Sequence, residues 1–264
     1  MKRGIVFTTA FHTKFPDYLH ARFRIPPKWT YKAVRWFHGK ADNVMVATPT
    51  IEKEMRGHGF KNIRRWTRGV DTVLFRPRAK DFLNLPRPIM LYVGRVAVEK
   101  NIEAFLRVDH PGTKLVVGDG PLLASLKKAY PQAVFTGAKQ GEDLARHFAA
   151  ADVFVFPSLT DTFGLVLLEA LASGVPVAAY PVPGPLDVIG DHPVGCLDQD
   201  LGVAIAKALT ASPSVCRSYA ETYSWAACTQ QFLSNIRVFD FESCQTGAGP
   251  RPAPVKTSPA VSTA

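Results

Sequence analysis

From Ile89 onward the chain alternates between short, largely apolar runs and stretches with helical spacing. The runs are Ile89–Val93, Lys114–Val117, Ala133–Phe135, Val153–Phe156 and Val175–Ala179. Between them, Ile102–Val108, Leu122–Tyr130, Leu144–Ala151 and Phe163–Ala172 place apolar residues three and four apart, as one face of a helix requires. A strand with one wet face alternates apolar with polar residues, whereas a strand that is apolar throughout is covered on both faces. The rhythm predicts an α/β unit with a parallel sheet between two layers of helices. Ligands of such sheets bind where strands run out into loops and helices, at the carboxyl ends.

The first third is less regular. Ile5–Thr9 reads as a short buried strand, and Trp29–Phe37 as a helix presenting Trp29, Ala33, Val34, Trp36 and Phe37. Val44–Ala47 reads as a second strand, followed by a helix over Glu52–Gly59 with Thr50 as its N-cap. Gly69 to Pro88 is proline-rich and poor in helical spacing, which suggests an interdomain linker. Beyond the alternating region, helices are expected from Gln199 to Leu209 and over Tyr223–Phe239, the latter capped by Ser224. From Gly247 the chain is mostly Gly, Pro, Ala, Ser and Thr, too poor in apolar area to repay its ordering entropy. The expected division is a first unit with linker over 1–81, a second over 82–240, and a disordered tail over 241–264.

Composition changes this picture in one respect. The 264 residues are 47% hydrophobic and 20% charged, ordinary for a soluble protein, but the net charge of +10 is unevenly placed. Residues 1–87 hold 19 Lys and Arg against 6 Asp and Glu, a net of +13, while the remainder carries −3. A basic first third suits an anionic partner, either a membrane surface reached through residues 14–87 or a phosphorylated substrate; a plain solvated basic face is the alternative. Zinc-finger spacing and RNA-binding aromatic motifs are missing, so nucleic acid is not expected. Cys196, Cys216, Cys228 and Cys244 form no CxxC pair, and neither a metal site nor a disulfide framework is read from them. No apolar stretch reaches eighteen residues, and the run after Met1-Lys2-Arg3 is too short for a signal peptide. Cytoplasmic residence, peripheral at the inner face of the membrane, is the expectation.

Candidate chemistry gathers at the predicted strand ends. After Val153–Phe156 comes Asp161-Thr162-Phe163-Gly164-Leu165-Val166-Leu167-Leu168-Glu169, continuing to Val175-Pro176. Gly164 lets backbone approach a ligand, and the helix it opens aims free N–H groups and a dipole that favour a diphosphate. Glu169, one to two turns in, is placed to accept hydrogen bonds from hydroxyls. An isolated acid pair could be a cap and a surface charge, but here it stands with a Phe-Gly turn and a long apolar run. After Ile89–Val93, the segment Gly94-Arg95 through Lys100-Asn101 sets two cations about a strand-to-helix turn, able to neutralise a diphosphate or simply to form surface ion pairs. Gly118-Asp119-Gly120-Pro121 is a turn after the next strand, structural or ligand-facing, and Phe135–Lys139 is another strand-end loop. Near the start lies Thr8-Thr9-Ala10-Phe11-His12-Thr13-Lys14-Phe15-Pro16. A lone His such as His12 is more often a packing residue than a catalyst, and His38, His58 and His147 are read as packing or surface residues.

The Asp161–Glu169 segment resembles the signature of glycosyltransferase family 4, retaining enzymes of GT-B fold, and is closest in style to lipid-directed mannosyl and sulfoquinovosyl transferases. The family's pattern is an acid, seven residues and a second acid; Asp at the first position is a variant those relatives share. The resemblance implies that Glu169 holds the ribose hydroxyls and Asp161 the donor sugar. It further implies that backbone at Phe163, Gly164, Leu165 and Val166 holds sugar and phosphate. Gly94, Arg95 and Lys100 fall where the family binds phosphate, and Gly118 where it has the same Gly-Asp-Gly-Pro. By the same resemblance Ala138 lines the base pocket through its backbone, and His12 faces the donor sugar.

The activity this resemblance implies is transfer of a hexose from a UDP- or GDP-sugar to a lipid or glycan acceptor with retention. Arg95 and Lys100 would stand in for a metal, so no cofactor is expected. The sequence departs from the family at its start: the His12 strand arrives at residue 5, so the first half of the N-terminal, acceptor-side domain is expected to be missing. Either the chain is a gene fragment or the other half is a separate polypeptide, and donor binding with weak or no transfer is the expectation. The alternatives are a non-catalytic nucleotide-sugar-binding remnant and a related GT-B enzyme such as a nucleotide-sugar epimerase.

Overall fold

The computed structural model describes residues 6–12, 15–159 and 163–236. The first lobe runs β1 (Thr8–Phe11), α1 (Phe15–Phe23), α2 (Pro27–His38), β2 (Asn43–Val46), α3 (Pro49–Gly57) and β3 (Ile63–Arg65). The second begins with β4 (Ile89–Val93), a 3₁₀ turn at Val98–Lys100, α4 (Ile102–Leu106), β5 (Thr113–Val117), α5 (Leu123–Ala129) and β6 (Val134–Gly137). It continues with α6 (Gly141–Ala150), β7 (Val153–Phe156), α7 (Leu165–Ala172), β8 (Val177–Ala179), α8 (Pro183–Val188), β9 (Gly195–Leu197), α9 (Leu201–Ala208), α10 (Pro213–Glu221) and α11 (Trp225–Asn235).

Both sheets are parallel, ordered β1-β2-β3 in the first lobe and β6-β5-β4-β7-β8-β9 in the second. The central strand β4 shows why the apolar runs are continuous. Ile89, Leu91 and Val93 pack with α6, α7 and α10, while Met90 and Tyr92 pack with α4 and α9 on the opposite face. Leu91 is wholly buried, and truncating it to Ala would cost about 2–5 kcal/mol. The chain winds outward from β4 to β6 and then returns to place β7 on the other side of β4. Between β4 and β7 lies the topological switch point, where the loops diverge and leave a crevice.

Several sequence expectations move. The first strand is Thr8–Phe11, shifted toward the C-terminus; Ile5 lies outside the described residues. The cap of α3 is Thr48, whose side chain accepts from the Ile51 N–H at 3.3 Å, with Pro49 opening the helix. Both threonines suit a cap, but Pro49 fixes the first helical position and so selects the residue before it. Helix α2 is correctly expected, but its buried face is centred on Tyr31 rather than on the tryptophans. Trp29 and Trp36 are 74% and 68% exposed. His58 stacks on Tyr31 with ring centroids 3.5 Å apart, and His147 is buried on α6, so both are packing residues.

The segment over 69–88 is irregular but firmly held. Val70 and Phe75 join the core of the second lobe, and Arg217 donates to the carbonyls of Phe75 at 2.8 Å and Thr72 at 3.0 Å. Asp152 accepts from Lys80 at 3.0 Å and Arg87 at 2.7 Å. The last helix, α11, is capped by Ser224 as expected and crosses back to the first lobe. There Gln231 accepts from Thr67, and Asn235 donates to the Arg65 carbonyl at 2.7 Å.

Candidate functional site

A cavity of about 360 Å³ opens between the lobes at the carboxyl ends of β1, β4 and β7. Phe11, His12, Ile51 and Arg68 line it from the first lobe. From the second come Gly94, Arg95 and Lys100 after β4, and Phe163, Gly164, Leu165 and Val166 at the start of α7.

Each wall has a local cause. Gly164 occupies the N-cap position of α7 with φ +78°, a left-handed conformation that glycine adopts without strain. A helix start leaves its first N–H groups without an acceptor one turn earlier, here before Leu167, whose N–H donates to the Gly164 carbonyl at 2.9 Å, and the helix dipole adds positive potential there. Opposite, the Tyr92 hydroxyl donates to the Arg95 carbonyl at 2.9 Å and so holds the loop after β4. Asn101 takes a left-handed conformation at φ 51° and donates through Nδ2 to the Pro157 carbonyl at 3.1 Å. That bond ties the loop after β4 to the loop after β7 across the switch point. Arg95 is well exposed and lies 3.9 Å from Glu99, too long and too wet an ion pair to occupy it.

His12 follows β1, and its Nδ1 accepts from Arg68. Burial, and secondarily the Arg68 charge, hold its pKa below the usual imidazole value, which favours the neutral ring. Glu169 sits on α7 just inside the helix, outside the ring of cavity-lining residues. Burial raises its pKa from an ordinary 4.5 to about 7, and among the described residues no donor meets its carboxylate.

The structure thus gathers His12, Gly94, Arg95, Lys100 and Phe163–Val166 about one cavity. Gly118 and Ala138 are not on its wall. A Cβ at Gly118 would lie 1.8 Å from the Gly94 carbonyl oxygen, so this glycine is required for the loops after β4 and β5 to pack backbone to backbone. Ala138 is exposed in the loop after β6. Asp161 lies outside the described residues. Arg68, on the cavity wall, and Asn101, which ties the two loops beside it, were not assigned a role from the sequence pattern. Asn101 carried a usable signal, as asparagine between a 3₁₀ turn and a helix; Arg68 carried none, because its neighbour is remote in sequence.

Two family models divide the chain: "Glycosyltransferase Family 4" matches residues 1–74 and "Glycosyl transferases group 1" matches 87–211. A sulfoquinovosyl transferase of Arabidopsis thaliana is 34% identical over 211 residues, covering 73% of this chain and 41% of that protein. A GDP-mannose-dependent alpha-mannosyltransferase of Mycobacterium tuberculosis (strain CDC 1551 / Oshkosh) is 35% identical over 206 residues, covering 74% of this chain and 54% of that protein. This chain therefore spans about half the length of the curated relatives it matches. Among solved structures, a sucrose-phosphate synthase from Thermosynechococcus elongatus superposes with TM-score 0.72 at 28% identity, over 86% of this chain and 66% of that one.

Proposed function

We propose, from the premise that this chain belongs to glycosyltransferase family 4 and has its GT-B fold, that it carries the donor site of a hexosyltransferase. The donor is a UDP- or GDP-activated sugar, and the acceptor a lipid or glycan. One observation carries the reading: Arg95 and Lys100 after β4 share a cavity with the N-terminus of α7 and with His12 of the other lobe. Two cations and a helix N-terminus suit a diphosphate, and a concave, partly apolar wall suits the sugar and base attached to it.

In the proposed reaction the bond between the anomeric carbon and the diphosphate oxygen breaks as the acceptor oxygen bonds to the same face of that carbon. The departing diphosphate takes the acceptor's proton, and configuration is retained. Arg95 and Lys100 stabilise the charge growing on the leaving group, so no metal is needed. Glu169 accepts from the ribose hydroxyls, and Asp161 and His12 orient the sugar. The names of the two relatives, a sulfoquinovosyl and a GDP-mannose-dependent transferase, support this substrate class.

The acceptor is proposed to reside at an anionic membrane surface. What supports this is α2, where Trp29 and Trp36 stand exposed on one face with Lys32 beside them, while Lys40, just past the helix end, lies 3.7 Å over the Trp36 ring. Tryptophan and lysine on one helix face are the side chains that settle at a lipid interface. No helix among the described residues is long and apolar enough to cross a membrane.

Calorimetric titration with UDP, GDP, UDP-glucose and GDP-mannose tests the donor site. Binding of a nucleoside diphosphate that weakens in Arg95→Ala and Lys100→Ala is expected. Absence of affinity for all four ligands would overturn the reading.

A further inference from the structure

Arg68, on the loop after β3, reaches the cavity wall beside His12, which lies 56 residues earlier in the chain. Its Nη2–H donates to His12 Nδ1. A guanidinium has five donors and no acceptor, so Nδ1 must present its lone pair. The proton of the neutral ring then resides on Nε2. The contact is braced. Arg68 lies 5.0 Å over the Trp66 ring, the His12 ring stands 5.8 Å from the same indole, and Phe232 of α11 backs it at 5.0 Å.

We propose that Arg68 is a positioning residue that fixes His12 as the Nε2–H tautomer, so that the imidazole meets the donor sugar as a hydrogen-bond donor to a hydroxyl oxygen and not as a base. The sugar-facing part of this rests on the donor-site reading above; the tautomer itself does not. It also accounts for a cavity in which His12 acts by orientation while the proton of the acceptor leaves with the diphosphate. Losing Arg68 would free Nδ1 to take the proton and turn the other nitrogen into an acceptor. A lysine would preserve the arrangement, since an ammonium likewise only donates.

The test is a long-range ¹H–¹⁵N imidazole spectrum of the full chain at pH 7.5, with His12 assigned by His12→Asn. The expected wild-type signal is an unprotonated Nδ1 with a protonated Nε2. Arg68→Gln, whose amide can also accept, is expected to mix the tautomers, and Arg68→Lys to restore the wild-type pattern. A His12 tautomer unchanged in Arg68→Gln, or Nδ1–H in the wild type, overturns the proposal. Should Arg68→Gln fail to fold, Arg68→Met serves in its place, with the same outcomes. Titrations separate this from the parent reading. Arg68→Gln is expected to weaken UDP-glucose or GDP-mannose at least tenfold more than the matching free diphosphate, with Arg68→Lys near wild type. Equal losses for sugar nucleotide and free diphosphate overturn the sugar contact. A tautomer that follows Arg68 in a chain that binds no nucleotide overturns the donor-site reading and supports the positioning contact.

Discussion

Asp187, on α8 of the second lobe, accepts two hydrogen bonds from Thr50 at the start of α3 in the first, at 3.2 Å from the backbone N–H and 2.8 Å from the hydroxyl. A carboxylate at a helix N-terminus also meets the favourable end of the helix dipole. The second carboxylate oxygen, Oδ2, is buried without a partner among the described residues, and its desolvation offsets part of the gain. Asp187→Ala should therefore lower stability by about 1–2 kcal/mol, between the worth of a charge-assisted hydrogen bond and that desolvation. Thr50→Val, which keeps the backbone donor, should lose about 1 kcal/mol or less. Urea unfolding curves at pH 7 decide this; an Asp187→Ala midpoint equal to wild type would mean that the contact contributes nothing.

Glu169 makes stability depend on pH. Its carboxyl ionises near 4.5 when exposed and at about 7 in the fold, because burial disfavours the charged form. Below pH 4.5 both states hold the proton and burial carries no ionic penalty. As pH rises from 4.5 to 7 the unfolded chain releases the proton first, so stability falls, and above about 7 it levels off lower by about 3 kcal/mol. Glu169→Gln should abolish this contribution, leaving the variant more stable than wild type at pH 8 and similar at pH 4.5. A difference between the two curves that does not change across that window would refute it.

The same group should link pH to ligand binding. If the ionised Glu169 accepts ribose hydroxyls, a nucleoside diphosphate binds the deprotonated form and its affinity falls by up to about tenfold per pH unit below 7. Calorimetry of UDP and GDP in buffers of different ionisation enthalpy would also show proton release on binding at pH 6 and little at pH 8. Glu169→Gln should bind more weakly at pH 8 and show no proton release.

Arg95 and Lys100 should act together on the diphosphate. Removing either charge-assisted contact costs about 1.5–3 kcal/mol, which is a ten- to hundredfold loss of affinity. Because Arg95 is exposed, its share should shrink as salt is raised, whereas Glu169→Gln should be insensitive to salt. Arg95→Ala binding UDP and GDP as wild type does would remove it from the site.

The alternating half of the fold was legible because burial on both faces forces continuous apolar strands, and Ile89–Val93 could hardly be read otherwise. The cavity-lining positions Arg95, Lys100 and Gly164 were legible for a related reason: a switch point opens a crevice at strand ends, and these residues stand there in sequence. Short elements escaped. β3 and β9 have three residues each, too few for a period, and α10 is short, with a narrow apolar stripe of Cys216, Tyr219 and Ala220 that is easily passed over. The face of α2 was misjudged because tryptophan counts as apolar, whereas Tyr31 buries itself by bonding Glu54. Pairings across the lobes or between distant loops, Asp187 with Thr50 and Arg68 with His12, exist only once the chain has closed on itself, and no local pattern encodes them.

Helix α2 gives the membrane reading its own test. Trp29 and Trp36 are seven residues apart, so they share a face with Lys32 beside them, and the helix contains no acidic residue. Burying two indoles at an interface favours binding by an apolar contribution that salt leaves intact, while each lysine near an anionic surface adds about 1 kcal/mol that salt screens. In flotation with vesicles of phosphatidylcholine and phosphatidylglycerol, the chain should rise with the lipid and bind less as salt increases. Trp29→Ser with Trp36→Ser should abolish flotation at any salt, whereas Lys32→Gln should weaken it mainly at low salt. Neutral phosphatidylcholine vesicles should bind little. Equal flotation with neutral and anionic vesicles would overturn the anionic-surface reading, and wild-type binding by the double tryptophan variant would show that α2 is not what meets the membrane.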